Sequence, residues 1–212
     1  MNFQIFGQTT NKARSGNGSW QPASGTRDGA LHVQDWTQAM AFEGRLFNVS
    51  HGSITTPITF LAYAVKRPVF GLDVPVGTAV FPTRIDVFLE ANAGTVTEII
   101  AGTCGNLLGA ATSTALTPAA TRTDRPVTSG CSAFGNYTAD SAAFTNDVEF
   151  WRAGNPYAGA AGSKVQYTWT ASEGNPQLLV GASSLYIFVA GTATQATGYV
   201  KVTYAELPAS AV

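Results

Sequence analysis

Three carboxylates are the side chains of this sequence best placed for acid–base or cation chemistry. Asp86 and Glu90 fall on one face of the same predicted strand, at positions i and i+4. Because a strand rises about 3.3 Å per residue, they lie roughly 13 Å apart, too far to act alone as a glycosidase pair. Glu98 on the next strand could approach one of them and form an acid/base pair or a calcium site between subunits. The favoured alternative is a solvated face beside Arg84.

A second acidic group, Asn146, Asp147 and Glu149, has alternating directions on a predicted strand. Calcium binding is one interpretation, and an ordinary polar strand is the favoured one. The two histidines, His32 and His51, lie 19 residues apart and cannot form the His-x-His metal cluster of small β-barrel dioxygenases. Each is predicted to be a hydrogen-bonding surface residue.

Known catalytic motifs are missing from the sequence. It contains no Gly-x-Ser-x-Gly elbow, no Gly-x-x-x-x-Gly-Lys phosphate loop, no Gly-x-Gly-x-x-Gly and no His-Glu-x-x-His. The protein is therefore not expected to be an enzyme, and no catalytic, cofactor-binding or metal-ligating residue is assigned.

The two cysteines, Cys104 and Cys131, are expected to be reduced and buried. The alternative is a disulfide that pins the segment between them, worth on the order of 3 kcal/mol, but assembly in a cytosol disfavours it. Exposed tryptophans in loops could stack on sugars, whereas those in alternating strands belong to a core. Trp169 is predicted to be core, and Trp151 beside Arg152 could be either; Trp20 and Trp36 are the other two tryptophans.

The composition excludes some partners and suggests others. Charged residues make up 12% of the 212 residues, about half the usual share, and the net charge is −1. Binding of nucleic acid by bulk charge is excluded, and Lys12, Arg14 and Arg27 are too few for a basic arm. A surface so poor in charge suggests that neighbouring subunits cover much of it. No apolar run is long enough to span a bilayer, and the start lacks a secretory signal, so synthesis in a cytoplasm is expected.

The chain is predicted to consist of an N-terminal arm over residues 1–40 and one all-β domain over 41–212. The arm contains Ser/Gly-rich turns, and its apolar Phe3 and Ile5 could add a strand to its own sheet or a neighbour's. Within it, Val33, Trp36 and Met40 have the spacing of a short helix.

From residue 41 the apolar period is two, which predicts strands. The segment 185–189 is apolar on both faces, so it is either central in its own sheet, the favoured choice, or covered by another subunit. Asn92-Ala-Gly94 predicts a hairpin-like turn, and the segment of about 104–145, without a clear period, is predicted to be one long loop. The nine strand candidates are 45–49, 54–60, 68–74, 79–90, 95–102, 147–152, 163–171, 184–190 and 198–206.

Two stretches resemble the single jelly-roll structural proteins of virions, including phage capsids. They are Pro68-Val-Phe-Gly-Leu-Asp-Val-Pro-Val-Gly-Thr-Ala-Val-Phe-Pro82 with the following Arg84–Glu90 strand, and the final pair Leu185–Gly191 and Gly198–Leu207. The resemblance extends over about residues 41–207. It implies an antiparallel two-sheet jelly-roll sandwich that assembles into pentamers, hexamers or trimers of a shell or of its decorations, alongside other virion proteins.

This resemblance leads to two alternative functions. The first is a self-assembling coat subunit located in the virion, whose function resides in its contacts with copies of itself. The second is a receptor- or carbohydrate-binding module of a virion fibre or decoration, with a shallow site of exposed aromatic and polar loop residues. Many such coat proteins carry a strongly basic arm, which this sequence lacks, so direct genome contact is not expected.

Overall fold

The computed structural model describes residues 36–60, 62–91, 96–110, 112–155, 164–172, 175–191 and 196–212. Contacts divide the chain into two units, Met1–Ala39 and Met40–Val212. The predicted arm therefore falls mainly outside the described residues, together with Phe3, Ile5, Trp20 and His32, and it stays a prediction.

The described residues form thirteen strands and two short helices. The helices are α1 (Trp36–Phe42) and a 3-10 turn, η1 (Ala209–Ala211). The strands are β1 (Leu46–His51), β2 (Ile58–Thr59), β3 (Phe70–Val74), β4 (Thr78–Ala91), β5 (Thr97–Cys104), β6 (Thr114–Leu116), β7 (Ala119–Ala120), β8 (Ser132–Gly135), β9 (Val148–Asn155), β10 (Val165–Thr170), β11 (Leu179–Val180), β12 (Ser183–Gly191) and β13 (Thr197–Pro208).

These strands build two antiparallel sheets, which confirms the all-β sandwich. The seven-stranded sheet has the order β10-β4-β13-β1-β7, with β11 paired to β4 and β2 paired to β13. The six-stranded sheet has the order β6-β8-β3-β12-β5-β9. None of the helices in the described ranges is long and apolar enough to cross a membrane.

The strand pairs that join segments distant in the sequence include β1 with β13, β3 with β12, β4 with β10 and β5 with β9. The predicted hairpin between β4 and β5 needs correction. Strand β4 pairs with β10, β11 and β13, whereas β5 pairs with β9 and β12 in the other sheet. The chain therefore changes sheets between them, and Asn92–Gly94 lie outside the described residues.

The main core lies between the sheets and follows the period-two pattern of the sequence. In β13 the residues Val200, Val202 and Tyr204 point inward and are fully buried, and Trp169 of β10 is buried as predicted. In β12 the inward residues Leu185 and Ile187 meet them from the opposite sheet. Strand β12 lies between β3 and β5, so the prediction of a central strand for 185–189 is confirmed.

The segment predicted as one long loop contains three short strands. We call residues 105–147 the insertion. Within it, β7 pairs with β1 at the edge of the seven-stranded sheet, while β8 pairs with β3 and β6 in the six-stranded sheet. The insertion thereby covers edge strands whose free N–H and C=O groups would otherwise invite pairing with other chains.

Two smaller elements differ from the prediction. The predicted helix around Val33–Met40 is observed as α1, Trp36–Phe42, with Met40 buried. The strand predicted over 54–60 is reduced to Ile58–Thr59, because Ser53 and Thr56 form a turn held by reciprocal backbone hydrogen bonds. As a result Ile54 is exposed, while Phe60 is buried.

Candidate functional site

The outer face of the six-stranded sheet carries a second apolar layer, which we call the outer layer. Tyr186 and Phe188 of β12 point away from the main core but are 3% and 5% exposed, since the insertion packs over them. Phe144 of the insertion stacks on Tyr186 with ring centroids 4.6 Å apart. The buried members are Cys104, Leu108, Tyr137, Tyr186 and Phe188, with Ile100, Phe134 and Phe144 packed against them.

Two glycines provide the space for this layer. Tyr186 lies in register between Gly71 of β3 and Gly102 of β5. A Cβ at Gly102 would fall 2.1 Å from the Tyr186 hydroxyl oxygen, and a Cβ at Gly71 would fall 2.7 Å from that of Tyr137. Each tyrosine ring therefore lies over a glycine, and each glycine is required because the ring occupies the position of a side chain.

A buried carboxylate anchors the insertion to the sheet. Asp73 of β3 accepts hydrogen bonds from the backbone N–H groups of Leu108 (2.9 Å) and Gly109 (2.8 Å) and from the Ser184 hydroxyl (2.6 Å). The Asn106 carbonyl lies 2.8 Å from the same hydroxyl and is a second acceptor for its one proton. Because all three donors to Asp73 are protein groups, its role is to hold the start of the insertion in place.

The end of the insertion is tied to its start and to β12. The Asn106 side-chain oxygen accepts from both the backbone N–H and the hydroxyl of Thr145, each at 2.9 Å. The Tyr186 hydroxyl donates to the Asp147 carboxylate. Burial, followed by this contact with Asp147, raises the pKa of Tyr186. The hydroxyl therefore stays protonated and serves as a donor.

The outer layer continues into an open groove of about 580 Å³, which we call the Tyr63 groove. The volume is in the range of small-molecule sites, roughly 300–1,000 Å³. Tyr63 is 54% exposed, and its ring centroid lies 5.3 Å from that of Phe188. The groove is lined by Ala62, Tyr63, Val96, Glu98, Ile100, Arg152, Phe188 and Ala190.

Charged side chains on β5 and β9 form the polar rim of the groove. The Arg152 Nε and Nη2 atoms donate to the two Glu149 carboxylate oxygens, both at 2.8 Å. The Arg152 Nη1 atom lies 3.9 Å from Glu98 Oε2, which is too long for a direct hydrogen bond. The Arg152 guanidinium holds the pKa of Glu149 below its usual range. The rim thus offers a donor and an acceptor close enough for one ligand oxygen, approaching from the side, to contact both.

On the opposite sheet, Asp86 is beside Arg84 as predicted, but it is buried instead of solvated. Its carboxylate accepts from Arg84 Nε (2.8 Å) and Nη2 (2.9 Å), from the Thr168 hydroxyl (2.8 Å) and from Gln166 Nε2 (3.3 Å). These donors occupy its acceptor positions and hold the carboxylate in place within the sheet.

On the same sheet, Phe88 and Tyr199 stack on one another, with their ring centroids 4.4 Å apart.

Glu98 does not pair with Asp86 or Glu90, as the sequence suggested it could. Glu90 and Asp86 lie on β4, whereas Glu98 lies on β5 of the other sheet, where its ion-pair partner is Arg152. Asp147 and Glu149 contact Tyr186 and Arg152 respectively. Among the described residues no group of three His, Cys, Asp or Glu side chains could hold a metal ion.

The surface position predicted for His51 is wrong. His51 follows Phe47 and Val49 on the inward face of β1 and is 5% exposed. A Cβ at Gly135 would fall 2.5 Å from its Nδ1 atom, so the imidazole fills the space beside that glycine. Burial lowers the pKa of His51 below 6.5, and the Asn136 side chain acts in the opposite direction. His51 is therefore held in its neutral form.

Both cysteines are free and buried, as expected. Cys131 belongs to the main core and Cys104 to the outer layer, so the alternative disulfide is not formed. Burial raises the pKa of both thiols. Of the tryptophans, Trp151 packs against the main core, which resolves its ambiguous assignment.

The groove was not predictable from the sequence, because Tyr63, Glu98 and Arg152 come from three separate segments. The only signal was the Trp151-Arg152 pair, in which the aromatic residue points inward and the cation points outward. Compared with protein-family models, curated proteins and solved structures, the chain has no significant match.

Proposed function

We propose that the chain is a structural virion protein, a self-assembling coat subunit with a jelly-roll fold. The observation that carries the proposal is the set of four long-range strand pairs. Placed end to end, these four antiparallel pairs correspond to one long two-stranded ribbon that is folded into two sheets. Numbered one to eight along the chain, the eight longest strands follow the orders 6-3-8-1 and 2-7-4-5 in the two sheets. Double-sheet jelly rolls occur in viral capsid proteins, lectins and cupins.

The distribution of apolar side chains favours a coat subunit among these classes. Exposed apolar residues lie on the turn Pro75–Thr78 and on two segments hydrogen-bonded to it, and we call this set the end surface. Val76 is 82% exposed and Val180, paired beside Ala79 of β4, is 46% exposed. The end surface comprises Val76, Leu178, Val180 and Val212.

Backbone contacts bring the members of the end surface to one end of the sandwich. The Gly181 N–H donates to the Thr78 carbonyl, and the Ala209 N–H donates to the Gly77 carbonyl. Apolar side chains collected in this way are typical of a protein–protein contact. Together with a charged fraction of only 12%, they favour association of the chain with copies of itself.

The first experiment is light scattering and electron microscopy of the purified full-length protein. Closed shells, or discrete pentamers, hexamers or trimers, are the expected result. A stable monomer at all concentrations would contradict self-assembly and favour the alternative function, a receptor- or carbohydrate-binding module. If the N-terminal arm links neighbouring subunits, deletion of residues 1–28 should leave a folded domain that fails to form large particles. Normal particles from this variant would refute that linking role.

A pair of substitutions tests the end surface. Val76→Asp places a charge on the end surface and should abolish assembly without changing the melting temperature, because its side chain is exposed. Val65→Asp is the matched control, since Val65 is 66% exposed but lies in another loop. If both variants assemble as well as the wild-type protein, the end surface is excluded as the contact between copies of the chain.

A further inference from the structure

We propose that the Tyr63 groove is a binding subsite for a neutral pyranose sugar. The groove lies within a single chain, so this inference goes beyond the coat function and holds whether or not the chain assembles. It depends on two features found side by side, an aromatic and apolar wall and a rim where Arg152 and Glu98 face each other as an ion pair without a direct hydrogen bond.

The wall matches the apolar face of a sugar ring. A pyranose presents C–H groups on one side and hydroxyl groups around its edge, and aromatic rings are the usual protein partners of such C–H faces. Tyr63 is held by Phe188 at an interplanar angle of 57°, which leaves more than half of its surface open. Ile100 and Ala190 extend the apolar floor beside it.

The rim matches the hydroxyl groups. Glu149 takes two of the Arg152 nitrogens and fixes the guanidinium, so that Nη1 points towards Glu98. With 3.9 Å between Nη1 and Glu98 Oε2, one ligand hydroxyl can accept from the nitrogen and donate to the oxygen. Both side chains are more than half exposed, so a ligand reaches them without displacing protein groups.

The charge of the rim selects neutral sugars over acidic ones. Arg152 carries one positive charge, while Glu98 and Glu149 carry two negative charges, so the sum is −1. A sugar carboxylate would have to compete with Glu149 for the guanidinium and would face the Glu98 carboxylate. A neutral hydroxyl has neither penalty.

Saturation-transfer NMR on the full-length protein tests the proposal. The probes are methyl β-glucopyranoside, methyl β-galactopyranoside and methyl α-mannopyranoside, with methyl α-N-acetylneuraminic acid as the acidic probe. At least one neutral probe should bind with a Kd of about 1–10 mM, which is usual for one open subsite. Tyr63→Ala and Glu98→Ala should each weaken this binding about tenfold. Tyr63→Phe should retain it, because the ring and not the hydroxyl makes the contact.

Val65→Ala is the matched control, because Val65 is exposed in the same loop and does not line the groove. It should leave binding unchanged. All the variants should have the same melting temperature as the wild-type protein, because the substituted side chains are exposed. Three results would overturn the proposal: no transfer to any neutral probe at about 50 mM, equal transfer in Tyr63→Ala, or binding of the acidic probe alone. None of them bears on particle assembly, which is measured separately.

Discussion

Replacement of Asp73 by alanine should detach the insertion from the six-stranded sheet before the sandwich itself unfolds. Three donors converge on this carboxylate: the N–H groups of Leu108 and Gly109 and the Ser184 hydroxyl. A buried hydrogen bond to a charged group contributes about 1.5–3 kcal/mol. Two of the three donors keep a second acceptor, since Leu108 N–H also reaches Ser184 Oγ at 3.2 Å and the Ser184 hydroxyl can donate to the Asn106 carbonyl instead. We therefore expect a loss of about 3 kcal/mol in the free energy of unfolding, below the sum of three full bonds.

The assay has a global and a local part. Urea unfolding gives the total loss, and amide hydrogen exchange at Leu108 and Gly109 measures release of the insertion relative to strands β10 and β13. Asp140→Ala is the control, because Asp140 is 59% exposed and pairs with the exposed Arg67; it should change stability by less than about 0.5 kcal/mol. A loss below about 1 kcal/mol for Asp73→Ala, or unchanged exchange at both amides, would refute the anchoring role.

Three further predictions concern the core. Trp169→Ala should cost about 3–5 kcal/mol by denaturant unfolding, because Trp169 is buried against Phe150; unchanged stability would mean that its face is misassigned. Stability should fall as the pH drops below about 6.5, because His51 takes up a proton in the unfolded chain but stays neutral when buried in the folded protein. This pH dependence should persist in His32→Gln and weaken in His51→Gln. Cys104 and Cys131 should react with a thiol reagent only after unfolding, since burial raises both pKa values, and rapid reaction of the native protein would contradict their burial.

The sequence predicted the strands well where local alternation decides them. Val165–Thr170 and Val200–Tyr204 alternate strictly, and both are strands over the core. Their pairing partners were not predictable in the same way, because β1 and β13, or β4 and β10, are joined by contacts between distant segments. The short strands β6 and β7 were missed because their Ala- and Thr-rich sequences carry no apolar period and depend on neighbouring strands.

The outer layer and the groove depended on tertiary structure that no local pattern encodes. Tyr186 and Phe188 indicated that strand 185–189 is buried on both faces, but not that the chain's own insertion covers the second face. Gly71 and Gly102 had no visible role until the two tyrosine rings were placed over them. His51 was assigned to the surface because a lone histidine carries no sequence signal for the cavity beside Gly135.

The pairing of β1 with β13 also determines when the protein can finish folding during its synthesis. Asn48 and Thr203, joined by a side-chain hydrogen bond, are separated by 155 residues. At a translation rate of roughly 5–20 residues per second, β1 waits about 8–30 s for its long partner to leave the ribosome. Among the described strands, the other partner of β1 is the two-residue β7. Nascent chains on one messenger therefore expose β1 edges to each other, and a chaperone or slow initiation would protect the yield of native protein.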